Sequence, residues 1–277
     1  MKKYLVIGNP IGHSLSPLIH NRWIEKHNLL DTVYEKRKIE EKDLKNIIKN
    51  IRDEEIAGVN VTVPFKKKII PFLDELDVSA EETQSVNTIK KDKNKIIGYN
   101  TDRVGFGKTI EDFYSQDSVK KKTIDFILEG KNIFILGAGG VAPSIISYVE
   151  HKGGNIFISN RTKSKAEELK ILFPKIKILD WGKKPENYNI VINTTSVGLN
   201  KDDKIQIDFN DCNKDRDKLF YDLIYNPKET NFLKEARSRG NKTMNGQMMF
   251  LNQASYAFCI WTGILPEIDE GVIKLLK

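Results

Sequence analysis

Lys131-Asn132-Ile133-Phe134-Ile135-Leu136-Gly137-Ala138-Gly139-Gly140-Val141-Ala142 is the stretch on which the fold of this 277-residue chain turns. Its apolar run predicts a strand over 131–136, buried on both faces. Gly137 to Ala142 then fit G-x-G-x-x-A, and the pattern that follows predicts a helix to about His151. Glycines at these places permit a tight turn and let backbone approach a pyrophosphate at the positive end of the helix; Ala142 stands in for the third glycine. Taken alone, such a loop is an ordinary strand-to-helix turn. Its flank is more telling: the next strand, 155–159, ends at Asn160-Arg161-Thr162, where an NAD-binding domain carries an acid for the ribose hydroxyls. Arg161, supported by Lys163 and Lys165, suits a ribose 2′-phosphate instead, with Thr162 adding a hydroxyl. The reading is therefore NADP(H). Asn193-Thr194-Thr195-Ser196-Val197-Gly198 sets Thr194 and Ser196 at another strand end, where ligands of open α/β sheets bind.

Outward from this motif, strands are predicted at 131–136, 155–159, 176–179, 189–193 and 219–223, with helices between most of them. That rhythm is a doubly wound parallel sheet. The first hundred residues carry a second α/β pattern, with strands at Tyr4–Ile7, Val33–Arg37 and Gly58–Val63. Helices are predicted from Pro17 to about His27 with Ser16 as N-cap, over Glu41–Ile51, over the basic run Phe65–Ile70, and near Val78–Ser85. A strand pair lies around Thr88 and Ile96, and Asp102 is placed to cap the next helix. The stretch 116–130, with Lys120-Lys121-Lys122, marks the approach to the new unit.

Length suggests two domains, and 39% hydrophobic with 30% charged residues excludes a disordered or fibrous chain. The balance of 45 Lys+Arg against 38 Asp+Glu, a net +7, favours anionic ligands without naming one. Cys212 and Cys259 are too few and too distant for a disulfide framework, which fits a reducing cytoplasm. The apolar run Leu5-Val6-Ile7 ends at Gly8-Asn9-Pro10, too short for a signal peptide. Residues 132–149 and 243–266 fail as membrane spans, the first broken by glycines and Pro143, the second carrying Gln247, Asn252 and Gln253.

Asn60 and Thr62 leave one face of the third strand, and Lys66 follows the Pro64 turn. Alone, Lys66-Lys67-Lys68 reads as a solvated basic patch, Asp102 as a helix cap, and Ser14 and Ser16 as loop and cap residues. Together with Gly8-Asn9-Pro10, Ser14-Leu15-Ser16-Pro17, Asn60-Val61-Thr62-Val63-Pro64-Phe65-Lys66, Val86-Asn87-Thr88 and Asn100-Thr101-Asp102, however, they resemble the shikimate dehydrogenase family in order and spacing. Gly137-Ala138-Gly139-Gly140, Asn160-Arg161-Thr162, Asp222-Leu223-Ile224-Tyr225 and the Gln253 helix extend the likeness over nearly the whole chain.

The resemblance implies that Ser14 and Ser16, helped by Tyr225, bind a substrate carboxylate. Asn60, Thr62, Lys66, Asn87, Asp102 and Gln253 would surround ring hydroxyls, and Gly246 would join the cofactor residues. A polyol acid needs many short hydrogen-bond partners, and a site that satisfies each hydroxyl rejects analogues lacking one. Ketone reduction needs a hydride from nicotinamide and a proton for the developing alkoxide. Lys66 is the expected acid/base, with Asp102 orienting it and the reacting hydroxyl. Departures from the family pattern are Arg103 after Asp102, the absence of an arginine after the glycine loop, and Asn245 before Gly246.

Other motifs are set aside. Gly107-Lys108-Thr109 imitates a phosphate-binding loop, but Asp102 stands where its first glycine belongs. His13, His20 and His27 are seven apart, unlike metal pairs on a helix, so no metal is expected. The expected protein is a two-domain α/β enzyme. A substrate domain spans 1–101 and is completed by C-terminal helices 247–277; a Rossmann-like NADP domain at 102–246 lies between, and a cleft would suit hinge closure. Its expected reaction is reversible NADPH-dependent reduction of 3-dehydroshikimate to shikimate in the cytoplasm, by a monomer or homodimer without nucleic-acid or membrane partners. Rivals are a quinate/shikimate dehydrogenase with broader substrate and cofactor use, an idle nucleotide-binding homologue, and a nucleic-acid binder suggested only by the charge.

Overall fold

The computed structural model describes residues 1–115, 126–209 and 218–276. The Lys120–Lys122 run, most of the 116–130 approach segment, and Cys212 lie outside them. Two compact units result: Met1–Phe106 with Leu251–Lys277, and Gly107–Phe250. Each chain crossing falls inside a helix, α4 (Thr101–Ser115) and α8 (Gln247–Thr262).

In the first unit, β1 (Lys2–Gly8) pairs in parallel with β2 (Thr32–Lys38) and β3 (Gly58–Val61). The hairpin β5 (Thr88–Asp92) and β6 (Lys95–Tyr99) extends the sheet antiparallel to β3, and the two-residue β4 (Glu75–Leu76) closes it in the order β2-β1-β3-β5-β6-β4. Leu5, Ile7, Val59 and Val61 pack with Leu44, Ile47, Ile48 and Ile51, one apolar face of α2 (Leu44–Arg52). Burial of such side chains stabilises by about 1.5–3 kcal/mol each. Other side chains of the same unit form an aromatic cluster: Tyr4 stacks on Trp261 at 4.9 Å, and His20 on Tyr34 at 4.2 Å. Trp261 donates Nε1–H to the Ile89 carbonyl at 3.0 Å, tying α8 to the sheet.

The second unit is a six-stranded, all-parallel sheet in the order β12-β11-β10-β7-β8-β9. Its strands are β7 (Asn132–Leu136), β8 (Asn155–Ser159), β9 (Lys177–Leu179), β10 (Ile190–Asn193), β11 (Leu219–Asp222) and β12 (Lys242–Met244). The order reverses between β7 and β10, the switch point at which doubly wound sheets bind ligands. The mixed α/β chain with a Rossmann-like unit is the fold class expected, although β4 and β12 had no counterpart in the predicted strands.

Local corrections have physical causes. Ser16 is the first helical residue of α1 (Ser16–Lys26), not its cap; Leu15 holds the cap position without a side-chain bond, and Ser16 N–H donates to Ser14 Oγ at 3.4 Å. The basic run Phe65–Ile70 forms turns ending in a short 3-10 segment at Ile70–Phe72. The Lys66 carbonyl there accepts from Val86 N–H at 2.9 Å, a tertiary bond. Asp102 does not cap α4 either. Asn100 does so, its Oδ1 accepting from Asp102 N–H at 3.0 Å and Arg103 N–H at 3.3 Å. Residues 41–43 are 3-10 rather than α, and β3 stops at Val61. The Gly107-Lys108-Thr109 triplet is ordinary α4 helix.

Candidate active site

Lys66 and Asp102 meet in the first unit. Lys66 follows β3 and the Pro64 turn; Asp102 stands in the first turn of α4, its carboxylate freed because Asn100 serves as the cap. Lys66 Nζ lies 2.5 Å from Asp102 Oδ2, and the side chains are 12% and 8% exposed. Taking both charges out of water is costly unless the remaining lone pairs are satisfied. Asn87 provides for this by donating Nδ2–H to Asp102 Oδ1 at 3.0 Å and to Thr101 Oγ1 at 2.9 Å.

Asn87 is itself held by its neighbours. Its Oδ1 accepts from Thr101 N–H at 2.8 Å and from Thr88 Oγ1–H at 3.0 Å. Asn60, on β3, donates to Thr88 Oγ1 at 3.0 Å and to the Asn87 carbonyl at 3.1 Å. These residues are buried, so their mutual satisfaction offsets the loss of water. Ser14 Oγ–H donates to Ser16 Oγ at 3.3 Å, a pair of hydroxyls in the loop entering α1. Thr62 is half-buried at the end of β3, its carbonyl accepting from Phe65 N–H at 2.9 Å. Gln253 is half-buried on α8 in the same unit.

Thr88, Thr101, Asn100 and Tyr34 also belong to this framework; the sequence assigns none of them a site role, although the first three lie within the family motifs. A buried tyrosine or threonine on a strand needs a hydrogen-bond partner, and that requirement is the signal available for them. Arg103 pairs with Glu82 at 3.0 Å, so it leaves Asp102 undisturbed.

Other expected site residues lie in the second unit. Tyr225 stacks on Phe250 with centroids 4.5 Å apart. Gly137 has φ +105, and a Cβ there would stand 2.7 Å from Thr194 Oγ1 and 2.8 Å from Thr195 Cγ2, so only glycine suits the turn. Gly139 faces open space, where only the Thr194 carbonyl comes as near as 4.0 Å to a built Cβ. Ala138, Gly140 and Val141 complete the loop, and α5 runs over Ala142–His151 with Pro143 in its first turn. Asn160 and Thr194 brace this loop: Asn160 Oδ1 accepts from Ala138 N–H at 3.0 Å, and Thr194 Oγ1–H donates to the Leu136 carbonyl at 2.8 Å. Arg161, Thr162, Lys165 and Ser196 are exposed, and Thr162 precedes α6 (Lys163–Leu172) without a side-chain capping bond. An approachable glycine backbone with exposed cations at the next strand end fits a phosphorylated dinucleotide. Gly246 is buried against Leu223. Beside it, Asn245 does what aspartate would, accepting from Gln247 N–H at 3.1 Å, and also donates to the Lys228 carbonyl at 3.0 Å.

Beneath the β10 and β11 strand ends, Asp222 is fully buried and accepts from Thr230 Oγ1–H at 2.6 Å, Asn193 Nδ2–H at 3.0 Å and Ile224 N–H at 3.1 Å. Burial pushes its carboxyl up to about 6, against the opposing pull of those donors. The described residues hold no group of His, Cys, Asp and Glu suited to a metal and no helix long and apolar enough to cross a membrane.

Comparison with known proteins gives the same picture. The model of the shikimate dehydrogenase substrate binding domain matches residues 6–89, and that of shikimate / quinate 5-dehydrogenase matches 118–231. A shikimate dehydrogenase (NADP(+)) of Pelagibacter ubique is 50% identical over 276 residues, covering 99% of this chain and 98% of the relative. A Thermus thermophilus shikimate 5-dehydrogenase solved with NADP(H) and shikimate is 28% identical, with TM-score 0.83 over 100% of this chain and 98% of that one. A Listeria monocytogenes shikimate 5-dehydrogenase solved with shikimate and NAD is also 28% identical, with TM-score 0.83 over 100% and 96%. With matches running along almost its entire length, this chain belongs to the shikimate dehydrogenase family.

Proposed function

We propose that this protein reversibly reduces 3-dehydroshikimate to shikimate with NADPH, on the route to chorismate and aromatic amino acids, using Lys66 as acid/base and Asp102 as its orienting partner. The observation that carries the assignment of roles is the 2.5 Å Lys66–Asp102 contact, nearly buried and held from behind by Asn87. NADPH supplies the hydride. Gly137, Ala138, Gly139, Gly140, Val141 and Ala142 receive its pyrophosphate, Arg161, Thr162 and Lys165 its 2′-phosphate, and Ser196 and Gly246 line the same site. Asn160 and Thr194 keep the loop in shape.

At the reacting carbon, Lys66 places a cationic donor against the oxygen as negative charge develops and delivers the proton that makes the alcohol. Asp102 keeps the ammonium in position and accepts from the reacting hydroxyl. Ser14, Ser16 and Tyr225 take the carboxylate; Asn60, Thr62, Asn87 and Gln253 take the remaining polar edge of the ring. The proposal gives the substrate, Tyr225 apart, to Met1–Phe106 with Leu251–Lys277 and the cofactor to Gly107–Phe250. It extends to a cytoplasmic monomer or homodimer, a reducing compartment being consistent with Cys259 as a free thiol.

A second reading, broader use of quinate and NAD, is favoured for NAD by the NAD bound to the Listeria relative and for quinate by the matching shikimate / quinate 5-dehydrogenase model. Nicotinamide absorbance with shikimate or quinate, each with NADP+ or NAD+, separates the two. The first reading expects shikimate with NADP+ to give the highest kcat/KM; a higher value for quinate or for NAD+ would replace it with the second.

A further inference from the structure

The substrate-side network continues past Asn60 to a residue that no role yet covers. Tyr34 lies on β2, 2% exposed, and its hydroxyl donates to Asn60 Oδ1 at 2.6 Å. The direction of that bond follows from chemistry. A backbone carbonyl only accepts, so the Asn87 carbonyl fixes which end of the Asn60 amide carries Nδ2, and Oδ1 is left facing Tyr34. The phenol proton is thereby spent.

We propose that Tyr34 is a positioning residue for the substrate, fixing Asn60 in the amide framework behind Lys66 and Asp102. The donors then run from Tyr34 to Asn60 Oδ1, and from Asn60 Nδ2 to Thr88, Asn87 and Asp102. Hydrogen bonds polarised alike in a dry interior strengthen one another. Amides pass no proton here, so the chain sets orientation. With both amide hydrogens of Asn60 committed to protein, only an Oδ1 lone pair is left for ligand, which selects a hydroxyl donor.

The ring is held separately from its hydroxyl. His20 stacks on Tyr34 at 4.2 Å with planes 4° apart, and neither of its ring nitrogens has a hydrogen-bond partner. Burial lowers His20 to about 3, so it packs against the phenol as a neutral ring. Tyr34→Phe therefore keeps the packing and removes only the hydrogen bond to Asn60.

This inference rests on the proposed substrate assignment, and the experiment separates their failures. Steady-state KM for shikimate and for NADP+ is measured for wild type, Asn60→Ala, Tyr34→Phe, Thr88→Val and the Tyr34→Phe/Thr88→Val double variant. Tyr34→Phe is expected to raise the shikimate KM about tenfold, as loss of a buried donor does, with the NADP+ KM within about twofold. The double variant is expected to resemble the worse single variant, since both cut one chain. A shikimate KM unchanged in Tyr34→Phe, equal rises in both KM values, or multiplying effects in the double variant would overturn the positioning role. If Asn60→Ala still raises the shikimate KM in that case, the site assignment stands and only this inference fails. Should Tyr34→Phe not fold, Thr88→Val alone decides by the same KM split.

Discussion

Asp222→Asn tests the electrostatics of the cofactor-side unit, because the carboxyl is fully buried with neutral donors only. Its value moves from an ordinary 3.8 up to about 6 by burial. The folded state therefore holds a proton that the unfolded chain has released between those values, and the stability contribution falls as pH rises through that window. At 1.36 kcal/mol per pH unit, the charged Asp222 costs about 3 kcal/mol at neutral pH relative to its protonated form. Asparagine keeps an oxygen for Asn193 and Ile224 and carries no charge at any pH, and Thr230 can turn its hydroxyl to accept. The assay is thermal unfolding of wild type and variant side by side from pH 7.5 to 4.5, so that all other titrations cancel. Wild type should gain on the variant as pH falls, by about 2 kcal/mol between about pH 6 and 4.5, or about 4 °C at roughly 2 °C per kcal/mol. A difference between the two proteins that stays flat with pH, or that turns against wild type in acid, refutes the reasoning.

Arg161→Ala should raise the NADP+ KM by at least about tenfold with little change for shikimate, the cost of one charge-assisted phosphate contact; equal losses for both would remove its 2′-phosphate role. Gly137→Ala forces a side chain into a φ of +105 against Thr194 and Thr195, and should cost about 2 kcal/mol or more in urea unfolding and weaken NADP+ binding in titration calorimetry. Asn100→Ala strips the cap from α4 and leaves Thr83 and the Ser85 carbonyl without its amide. A loss of about 2 kcal/mol in stability is expected, with a fall in kcat because Asp102 sits on that turn.

The glycine-loop unit was legible because its information is local. β7, the loop, α5 and β8 follow one another, and their apolar periods and glycines each force one conformation. Misreadings came where a distant partner decides. Lys66–Lys68 carry helix-forming side chains, yet the Lys66 carbonyl is claimed by Val86, so turns replace the helix. Ser16 and Asp102 both have the chemistry of a cap, but the Leu15 carbonyl takes the Leu18 and Ile19 amides, and Asn100 takes those of Asp102 and Arg103. That outcome leaves Asp102 available to Lys66, a consequence invisible without the fold. Tyr34 and Thr88 look like ordinary strand residues, since alternation reports burial and not what a hidden hydroxyl touches. Lys66 and Asp102 themselves were reachable only through the family pattern, as each alone reads as solvated charge or helix cap.

The account stands most directly on kcat of Lys66→Ala at saturating shikimate and NADP+, with folding checked by circular dichroism. A fall of about 10²–10⁴-fold is predicted, the range for losing a positioned acid/base, while the NADP+ KM stays near its wild-type value. A folded variant that turns over at close to the wild-type rate contradicts the assignment of the proton to this lysine.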